Sequence, residues 1–340
     1  MANEYPSPLP AGHRRALRRL AMTVYARAPL RISFSGGGSD TAAYSSRHGG
    51  LVLSSTIARY ATVMAEVGSD VCLSYPQDEA DPLFLATLSR ARSDPGGKIV
   101  GLVSRLDAPP RSGLGASGAL GVAALGCMRR VLGVLAFSLT DVAEEAYRVE
   151  TREMGNAAGR QDQYAAAYGG INLMTFEGEK TTVTRQRLRP ETVLALESSL
   201  VLVYLHPRAG ASGKIMAEEN ERVLRGDPQM LDALMHQKVL AFEMARALRS
   251  GDLVLFGQML DQAWEMKKRQ ALGVTNDVVD GVYSLARKAG ALGGKLCGAG
   301  GGGYMVLFAP EKAGPVCDTL RAVGLRPENV VCDFKGLQTW

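Results

Sequence analysis

Several signatures that define familiar classes of protein are missing from this sequence of 340 residues. It has no run of eighteen consecutive apolar residues, the minimum length of a membrane-spanning helix, so we predict no transmembrane segment. Its five cysteines lie far apart without a C-x-x-C pair, and its four histidines form no H-E-x-x-H motif. This spacing argues against a structural zinc site. It indicates reduced, buried thiols, which we expect in a cytoplasmic protein.

The common nucleotide-binding signatures are also absent. There is no G-x-x-x-x-G-K-[ST] loop, and the H-R-D and D-F-G motifs of protein kinases are missing. The glycines at 113–118 and 298–303 do satisfy G-x-G-x-x-G, but the first set follows no buried strand and the second precedes a strand instead of a helix. A dinucleotide oxidoreductase is therefore disfavoured, although it stays open as an alternative class.

Composition indicates an ordinary globular protein with a mild positive charge. Apolar residues make up 46% and charged residues 21%, and the formal net charge is +5. Part of this charge lies in HRRALRRL at 13–20, which we interpret as an exposed leader, so we expect neither a nucleic-acid nor a membrane partner. The length indicates two domains. We place a flexible leader at 1–23, an N-terminal domain at 24–190 and a C-terminal domain at 191–340.

Strand and helix patterns are mixed without regular β-α-β alternation, so the predicted fold class is α+β. Residues 27–35 alternate as in a strand, and a helix is predicted to end near Leu132. Thr140 and Asp141 can cap a further helix that ends at Gly155. In the second half, SLVLVYL predicts a buried strand, and helical patterns cover 214–225, 228–250, 252–268 and 276–289.

What the sequence does contain is glycine, with 39 residues clustered in a few loops. One such loop is PPRSGLGASGALGVAAL at 109–125, where small residues bend directly into an apolar helix. Unpaired N–H groups and the helix dipole bind anions at a helix N-terminus, and small residues let a phosphate approach the backbone. Because RISFSGGGSD and KLCGAGGGGYMVLF are further glycine loops, we predict a phosphate-containing ligand.

The central loop offers several groups to a nucleotide. Arg111 adds a cation, Ser117 adds a hydroxyl that could reach a metal ion, and Leu114 is the only bulky apolar side chain in the bend. We therefore expect the phosphates to lie along the following residues: Arg111, Ser112, Gly113, Leu114, Gly115, Ala116, Ser117 and Gly118.

In order and spacing, the three loops resemble the motifs of the GHMP kinase superfamily, whose members phosphorylate sugars and small alcohols. RAPLRISFSGGGSD looks like the first motif, PPRSGLGASGA like the second and KLCGAGGGGYMVLF like the third. Galactokinases carry a glutamate and a histidine where this chain has Gly37 and Gly38. The G-G-G-S-D form and the GRQDQYAAAYGG segment are instead similar to heptose 7-phosphate kinases and their L-fucokinase relatives.

The resemblance implies an N-terminal domain like the second domain of ribosomal protein S5, a ferredoxin-like C-terminal domain and an active site between them. It implies a kinase that uses ATP and Mg²⁺ to phosphorylate the anomeric hydroxyl of a heptose 7-phosphate for nucleotide-heptose synthesis. A sugar phosphate is thus the expected partner, and a homodimer is also expected. Another sugar kinase, L-fucokinase-like or acting on a plain hexose, stays open, as does a regulator that kept the fold and lost activity.

The resemblance also assigns catalytic roles to two residues. Phosphoryl transfer depends mainly on positioning and charge neutralisation. Asp162 matches the active-site aspartate that accepts or orients the proton of the attacking hydroxyl, although it could merely cap a helix after Gly159. Arg31 lies on the first strand, where it could hold Asp162 ionised and neutralise the transferring group, or could point to solvent on an edge strand.

Metal and acceptor contacts are expected on both sides of this pair. Ser117 and Glu150 are the predicted Mg²⁺ ligands, with Glu153 as a competitor, because Mg²⁺ prefers oxygen and takes only one or two ligands from protein. Asp40 matches the family aspartate that accepts sugar hydroxyls, although it could cap the helix that begins at Thr41. The predicted substrate contacts are Gly37, Gly38, Ser39, Asp40, Gly300, Gly301 and Gly302.

A heptose 7-phosphate also needs cations for its own phosphate group. The candidates in this sequence are Arg208, Lys267, Lys268 and Arg269. The last three end a predicted helix, where cations are favoured by the dipole whatever the function, so each of them has an ordinary structural explanation.

Overall fold

A computed structural model describes residues 22–67, 99–207 and 212–340 of the chain. Most of the predicted leader, Cys72 and Arg208 lie outside these ranges. Met22 and Thr23, which the prediction placed in the leader, belong to the first strand. The mixture of helices and two antiparallel sheets confirms the α+β prediction.

The first sheet is organised around two long strands, β1 (Met22–Ser35) and β2 (Gly50–Val67), which pair antiparallel over almost their whole length. The other edge of β2 pairs with β3 (Ile99–Leu106) and with β4 (Ile171–Glu177), and β4 pairs with β5 (Lys180–Arg185). The first glycine loop directly follows β1, so the sheet fixes where that loop begins.

Helices cover one face of this sheet. From Val24 to Phe34, every second residue of β1 is apolar and buried, so its side chains form an apolar face for the helices to cover. Its buried apolar residues are Val24, Ala26, Ala28, Leu30, Ile32 and Phe34. The helices on this side are α2 (Ala116–Val131), α3 (Leu139–Arg148) and α4 (Gln161–Tyr168), with a π-helical turn at Val149–Glu153 after α3. Helix α2 is almost entirely buried and rich in glycine and alanine, so its backbone lies close to the sheet. This packing brings the start of α2 against the start of α4, which in turn contacts the first glycine loop.

The second sheet has the strand order β7-β8-β6-β9. Its strands are β6 (Leu200–His206), β7 (Gly293–Leu296), β8 (Gly303–Phe308) and β9 (Pro327–Asn329). The remaining helices are α1 (Ala42–His48), α5 (Pro190–Ser199), α6 (Ser212–Leu224), α7 (Pro228–Ser250), α8 (Leu253–Lys268), α9 (Asp277–Lys288) and α10 (Ala313–Ala322). Within the described residues, no helix is long and apolar enough to cross a membrane.

The end of the chain returns to the first sheet. Strand β10 (Gln338–Thr339) pairs with β1, the Tyr25 and Trp340 backbones exchange two hydrogen bonds, and the two rings stack with centroids 5.7 Å apart. The boundary predicted near residue 190 remains a prediction, but the last residues assigned to the second domain contact the first.

A buried lysine joins the two sheets. The Lys295 ammonium on β7 donates to the carbonyl oxygens of Ser33 on β1 and of Leu296, each at 3.0 Å. Burial lowers the pKa of Lys295 to about 8; the nearby Cys297 opposes this effect, and the cations of Lys267 and Arg31 add to it. The third glycine loop is therefore tied to the strand that carries Arg31.

This lowered pKa predicts a measurable dependence of stability on pH. Between pH 8 and the ordinary lysine pKa near 10.4, the unfolded chain binds a proton that the folded chain has released. The contribution of Lys295 to the free energy of unfolding of the wild type should therefore increase as pH rises, by at most about 1.4 kcal/mol per pH unit. Urea unfolding at pH 7, 8, 9 and 10 should show this gain relative to Lys295→Met.

The exposed Lys288 on α9 supplies the matched control. Lys288→Met should leave the pH dependence of unfolding as in the wild type. If the curves of Lys295→Met and the wild type run parallel from pH 7 to 10, the buried ammonium does not titrate in this interval and the interpretation is wrong.

Candidate active site

The site is organised by the guanidinium of Arg31, whose side chain is only 5% exposed. Its Nε atom donates to Oδ1 of Asp162 at 2.7 Å, and its Nη2 atom forms an ion pair with the same oxygen at 2.7 Å. Its Nη1 atom donates to the carbonyl oxygen of Gly113 at 2.6 Å, and its backbone N–H donates to Leu114 at 2.9 Å. The prediction of Arg31 beside Asp162 is thus matched by the geometry, and one side chain connects the phosphate loop with the predicted catalytic aspartate.

Asp162 lies in the first turn of α4 and is 28% exposed, so its free oxygen can reach solvent or a substrate. No side chain of α4 itself caps its N-terminus. The alternative in which Asp162 serves only as a helix cap is therefore not supported. A Cβ atom at Gly118 would lie 2.8 Å from the Cβ of Asp162, closer than side chains pack. Glycine at this position therefore permits the close approach of α2 and α4.

The predicted phosphate loop leads directly into a helix. Gly115 precedes the first residue of α2, Ala116, and the loop residues Gly113, Gly115 and Ser117 are partly exposed. The first N–H groups of such a helix have no partner within it and can bind an anion. Arg111 is exposed beside this end of the helix.

Two members of the predicted nucleotide set face inwards. The Leu114 side chain is fully buried in the core, so only its backbone belongs to the loop. Ser112 is 1% exposed, and its carbonyl oxygen accepts from the N–H of Tyr304 at 2.9 Å. These residues hold the shape of the loop.

The predicted metal ligands lie side by side. Ser117 Oγ donates to Glu150 Oε1 at 3.1 Å, and Gln163 Nε2 donates to Glu150 Oε2 at 2.6 Å. Glu150 lies in the π-helical turn, whereas Glu153 at the end of that turn is exposed. One hydroxyl and one carboxylate match the small number of protein oxygens that Mg²⁺ uses. The described residues contain no group of three or more His, Cys, Asp and Glu side chains that could hold a metal alone.

Asp40 is buried at the other side of α4, with 1% exposure. Its carboxylate accepts from the N–H and the side-chain Nε2 of Gln161 and from the N–H of Gly38, each at 3.1 Å. Burial raises the pKa of Asp40, the Gln161 hydrogen bond opposes this, and the nearby Asp162 carboxylate adds to it. The alternative in which Asp40 caps its own helix is wrong, because α1 begins after Thr41 without a side-chain cap and Asp40 accepts from the first N–H of α4 instead. The expected contact of Asp40 with sugar hydroxyls remains a prediction.

The rest of the first glycine loop divides into two parts. The Ser39 hydroxyl is fully buried, donates to the Gly36 carbonyl at 2.7 Å and accepts from the Leu51 N–H at 3.0 Å. The structure therefore does not place Ser39 against a substrate, because its hydroxyl holds the loop to β2. Gly37 and Gly38 are partly exposed and keep the location predicted for them.

The third glycine loop packs against the phosphate loop. A Cβ atom at Gly303 would lie 2.4 Å from the carbonyl oxygen of Ser112, so these two backbones are in direct contact. Gly301 donates its N–H to the carbonyl of Val274 at 2.8 Å, while Gly300 and Gly302 are buried. The second and third motifs thus contact each other through the backbones of Gly303 and Ser112.

The cations considered for a substrate phosphate have other partners. Lys267 is buried and donates to Glu219 Oε1 at 2.6 Å and to Gln270 Oε1 at 2.7 Å. The other two form ion pairs at the surface, Lys268 with Glu265 and Arg269 with Asp232. For Lys267, Lys268 and Arg269, an ordinary structural role is therefore better supported than binding of a substrate phosphate.

Sequence reasoning missed three residues of the site. Gln161 and Gln163 flank Asp162 and bind the two carboxylates on either side of it, and Lys295 ties the third loop to β1. The adjacency of Gln161 and Gln163 to Asp162 in GRQDQ was a usable signal. No local pattern marked Lys295, because its partner Ser33 is 262 residues away.

Comparisons with known proteins agree with this geometry. The model for the GHMP kinase N-terminal domain matches residues 83–170, and the model for the GHMP kinase C-terminal domain matches residues 244–324. The chain belongs to the GHMP kinase family. It is a sugar kinase, a phosphotransferase with an alcohol acceptor, and kinases of this family use ATP as the phosphate donor.

Individual relatives narrow the comparison. The chain is 29% identical to a D-glycero-alpha-D-manno-heptose 7-phosphate kinase of Campylobacter jejuni, over 94% of this chain and 99% of that protein. It is similar to the crystal structure of a D-glycero-D-manno-heptose 1-phosphate kinase of Bacteroides thetaiotaomicron, with a TM-score of 0.74, 26% identity and coverage of 93% and 98%. An L-fucokinase/L-fucose-1-P guanylyltransferase of Bacteroides fragilis is 28% identical over 60% of this chain and 21% of its own length.

The position of Asp162 predicts that its carboxylate is required for turnover. Asp162→Asn keeps the size of the side chain but removes the proton acceptor, so kcat should fall by about 10²- to 10⁴-fold. ATP affinity, measured by calorimetry, should be retained because the phosphate loop is unchanged.

Asp277→Asn is the matched control, since it removes an exposed carboxylate from the first turn of α9. It should leave kcat unchanged. Wild-type turnover in Asp162→Asn would exclude the assigned role.

Proposed function

We propose that the protein phosphorylates the anomeric hydroxyl of D-glycero-D-manno-heptose 7-phosphate, giving the 1,7-bisphosphate for nucleotide-heptose synthesis and surface polysaccharide. The similarity to the Campylobacter jejuni heptose 7-phosphate kinase, which extends over nearly both full lengths, carries this proposal. The arrangement of Arg31, Asp162 and the α2 N-terminus is consistent with phosphoryl transfer to an alcohol.

Each residue of the site has a task in this reaction. The N–H groups at the start of α2 bind the triphosphate, which orients the terminal phosphoryl group. Asp162 accepts the proton of the attacking hydroxyl or holds it in line. Arg31 keeps Asp162 in place and neutralises negative charge that develops during transfer.

Magnesium fits the oxygens of Ser117 and Glu150, which lie 3.1 Å apart at the start of α2. When bound there, the ion would neutralise charge on the phosphates of ATP. Gln163 donates to the second oxygen of Glu150, which orients that carboxylate toward Ser117.

Two alternative functions remain to be compared with this proposal, an L-fucokinase-like activity and an inactive sugar-sensing regulator. An L-fucokinase-like activity is favoured by the similarity to the Bacteroides fragilis protein, although this covers a shorter part of the chain. A sugar-sensing regulator without activity is disfavoured, because Asp162, Arg31, Ser117 and Glu150 lie close enough to act together.

A kinase panel tests the proposal. ADP release should be followed with the heptose 7-phosphate, the same heptose without its phosphate, L-fucose and mannose as acceptors. We expect robust turnover only with the heptose 7-phosphate, and phosphorus NMR should show the new phosphate on the anomeric oxygen.

Asp162→Asn serves as the background control, because any activity that it retains comes from contaminating kinases. Turnover of L-fucose by the wild type, with none of the heptose 7-phosphate, would replace our proposal with the fucokinase alternative. Binding of ATP without turnover of any acceptor would favour the regulator.

A further inference from the structure

The side of Asp162 that faces the first glycine loop contains a second amide–carboxylate contact. Gln161 directly precedes Asp162, and both its backbone N–H and its side-chain Nε2 donate to Asp40, each at 3.1 Å. These two bonds fix the Gln161 side chain as well as the start of α4. The orientation of Gln161 is therefore determined by Asp40.

Asp40 is too enclosed to contact a substrate itself in this arrangement. It is 1% exposed and accepts a third hydrogen bond from the Gly38 N–H. On its far side, a Cβ atom at Gly159 would lie 1.9 Å from Asp40 Oδ2, so the backbone there closes over the carboxylate. On this side of Asp162, an acceptor could therefore contact only the residues next to Asp40 and not Asp40 itself.

The Gln161 amide turns its nitrogen toward both Asp40 and the site. Nε2 donates one N–H to Asp40 Oδ1, and a primary amide nitrogen carries a second N–H that can reach another acceptor. Ser33 Oγ on β1 is buried and has no hydrogen-bond partner among the described residues. Buried polar atoms are rarely left without a partner, so this hydroxyl points to a ligand.

The two side chains border a space at Gly37. A Cβ atom there would lie 3.6 Å from Gln161 Nε2 and 3.6 Å from Ser33 Oγ. Gly37 itself is partly exposed, and Asp162 is the next residue after Gln161. The absence of a side chain at position 37 thus leaves room between two hydrogen-bonding groups, beside the catalytic aspartate.

We propose that Gln161 and Ser33 form a subsite that binds the acceptor hydroxyl adjacent to the one that is phosphorylated, with Gly37 as its floor. The hydroxyl accepts from Gln161 Nε2 and donates to Ser33 Oγ. Asp40 is a positioning residue, which holds the Gln161 amide in the required orientation. The inference rests on the proposed function in that the acceptor is a sugar with vicinal hydroxyls, and for an anomeric phosphorylation the hydroxyl concerned is the one on C2.

Gln161→Leu tests the hydrogen bond. We expect about a fivefold rise in the acceptor KM with an unchanged ATP KM, since one hydrogen bond contributes about 1 kcal/mol. The wild type should prefer the natural acceptor to its 2-deoxy analogue in kcat/KM, and Gln161→Leu should lose most of this preference.

Gln186→Leu is the matched control. Gln186 is also a buried glutamine of the same domain, but its side chain bonds to Thr184 and Arg249 away from the site. It should change thermal stability without changing the preference for the natural acceptor. Equal preference in the wild type and in folded Gln161→Leu would overturn the proposal.

Gly37→Ala tests the space independently of hydrogen bonding. Gly37 is not in the left-handed region, and 3.6 Å is an ordinary contact distance, so the variant should fold with the stability of the wild type. Its methyl group would occupy the subsite, and the acceptor KM should rise at least tenfold while the ATP KM stays constant. Gly281→Ala on the exposed face of α9 is the control and should leave both constants unchanged. A Gly37→Ala variant with the acceptor KM of the wild type would also overturn the proposal.

Asp40→Asn tests the positioning role. The asparagine can no longer accept every bond from Gln161 and Gly38, so the Gln161 amide should lose its fixed orientation. We expect a raised acceptor KM together with a loss of the preference for the natural acceptor over its 2-deoxy analogue, and kcat should change less than fivefold. A fall in kcat alone, with the full preference for the natural acceptor retained, would contradict this role.

These experiments separate the two proposals. Whether the wild type phosphorylates the heptose 7-phosphate is decided with the wild type alone. If another sugar is the acceptor, the same variants are compared on that sugar and on its analogue without the adjacent hydroxyl. The subsite proposal then fails only if Gln161→Leu or Gly37→Ala behaves as the wild type.

Discussion

The buried contact between Arg31 and Asp162 is the interaction on which the site depends. A guanidinium with 5% exposure must be hydrogen-bonded on several sides to offset the loss of its hydration. Asp162 accepts a hydrogen bond from Nε and forms an ion pair with Nη2, and the Gly113 carbonyl accepts from Nη1. Because one rigid cation makes all of these contacts, the phosphate loop, the first strand and the start of α4 cannot move independently. Phosphoryl transfer requires this kind of fixed distance between donor and acceptor sites.

Two aspartates close to one another have different environments and different tasks. Asp162 is partly exposed and has a cation beside it, which suits a group that must exchange a proton with a bound substrate. Asp40 is buried among amide groups, and its pKa is raised by that burial. It acts on the glycine loop and on α4 through hydrogen bonds. The same residue type thus supplies chemistry in one position and architecture in the other.

The sequence was sufficient for most of the helices it was used to predict and for the proximity of Arg31 and Asp162. Helix α2 ends at Val131, next to the predicted Leu132, and the helical pattern at 228–250 matches α7. The cap predicted at Thr140 and Asp141 is wrong by about half a turn, because Ser138 accepts from the Asp141 N–H and α3 begins at Leu139. Hydrophobic periodicity also could not reveal the π-helical turn, since apolar spacing hardly distinguishes it from an α-helix.

What the sequence could not supply are contacts between distant segments. Asp40 caps a helix that begins 121 residues later, and Lys295 binds a carbonyl 262 residues earlier. Local patterns explain a cap only when it lies within a few residues, so the only cap considered for Asp40 was that of its own helix. The contact between Asp162 and Arg31 could be expected because three motifs of fixed order implied their proximity. No motif of this kind included Gln161 as a contact of Asp40.

The pairing of β10 with β1 affects how the molecule is made. Arg27 and Gln338 are in contact across 311 residues of chain, so a ribosome releases the first strand long before its outer neighbour. During that interval, β1 presents unpaired backbone groups along one edge, the kind of edge to which other chains can add. Closing so large a loop is also slow compared with forming helices and hairpins. The strand that carries Arg31 is thus synthesised long before its outer neighbour, and in that interval this part of its edge is open to pairing with other chains.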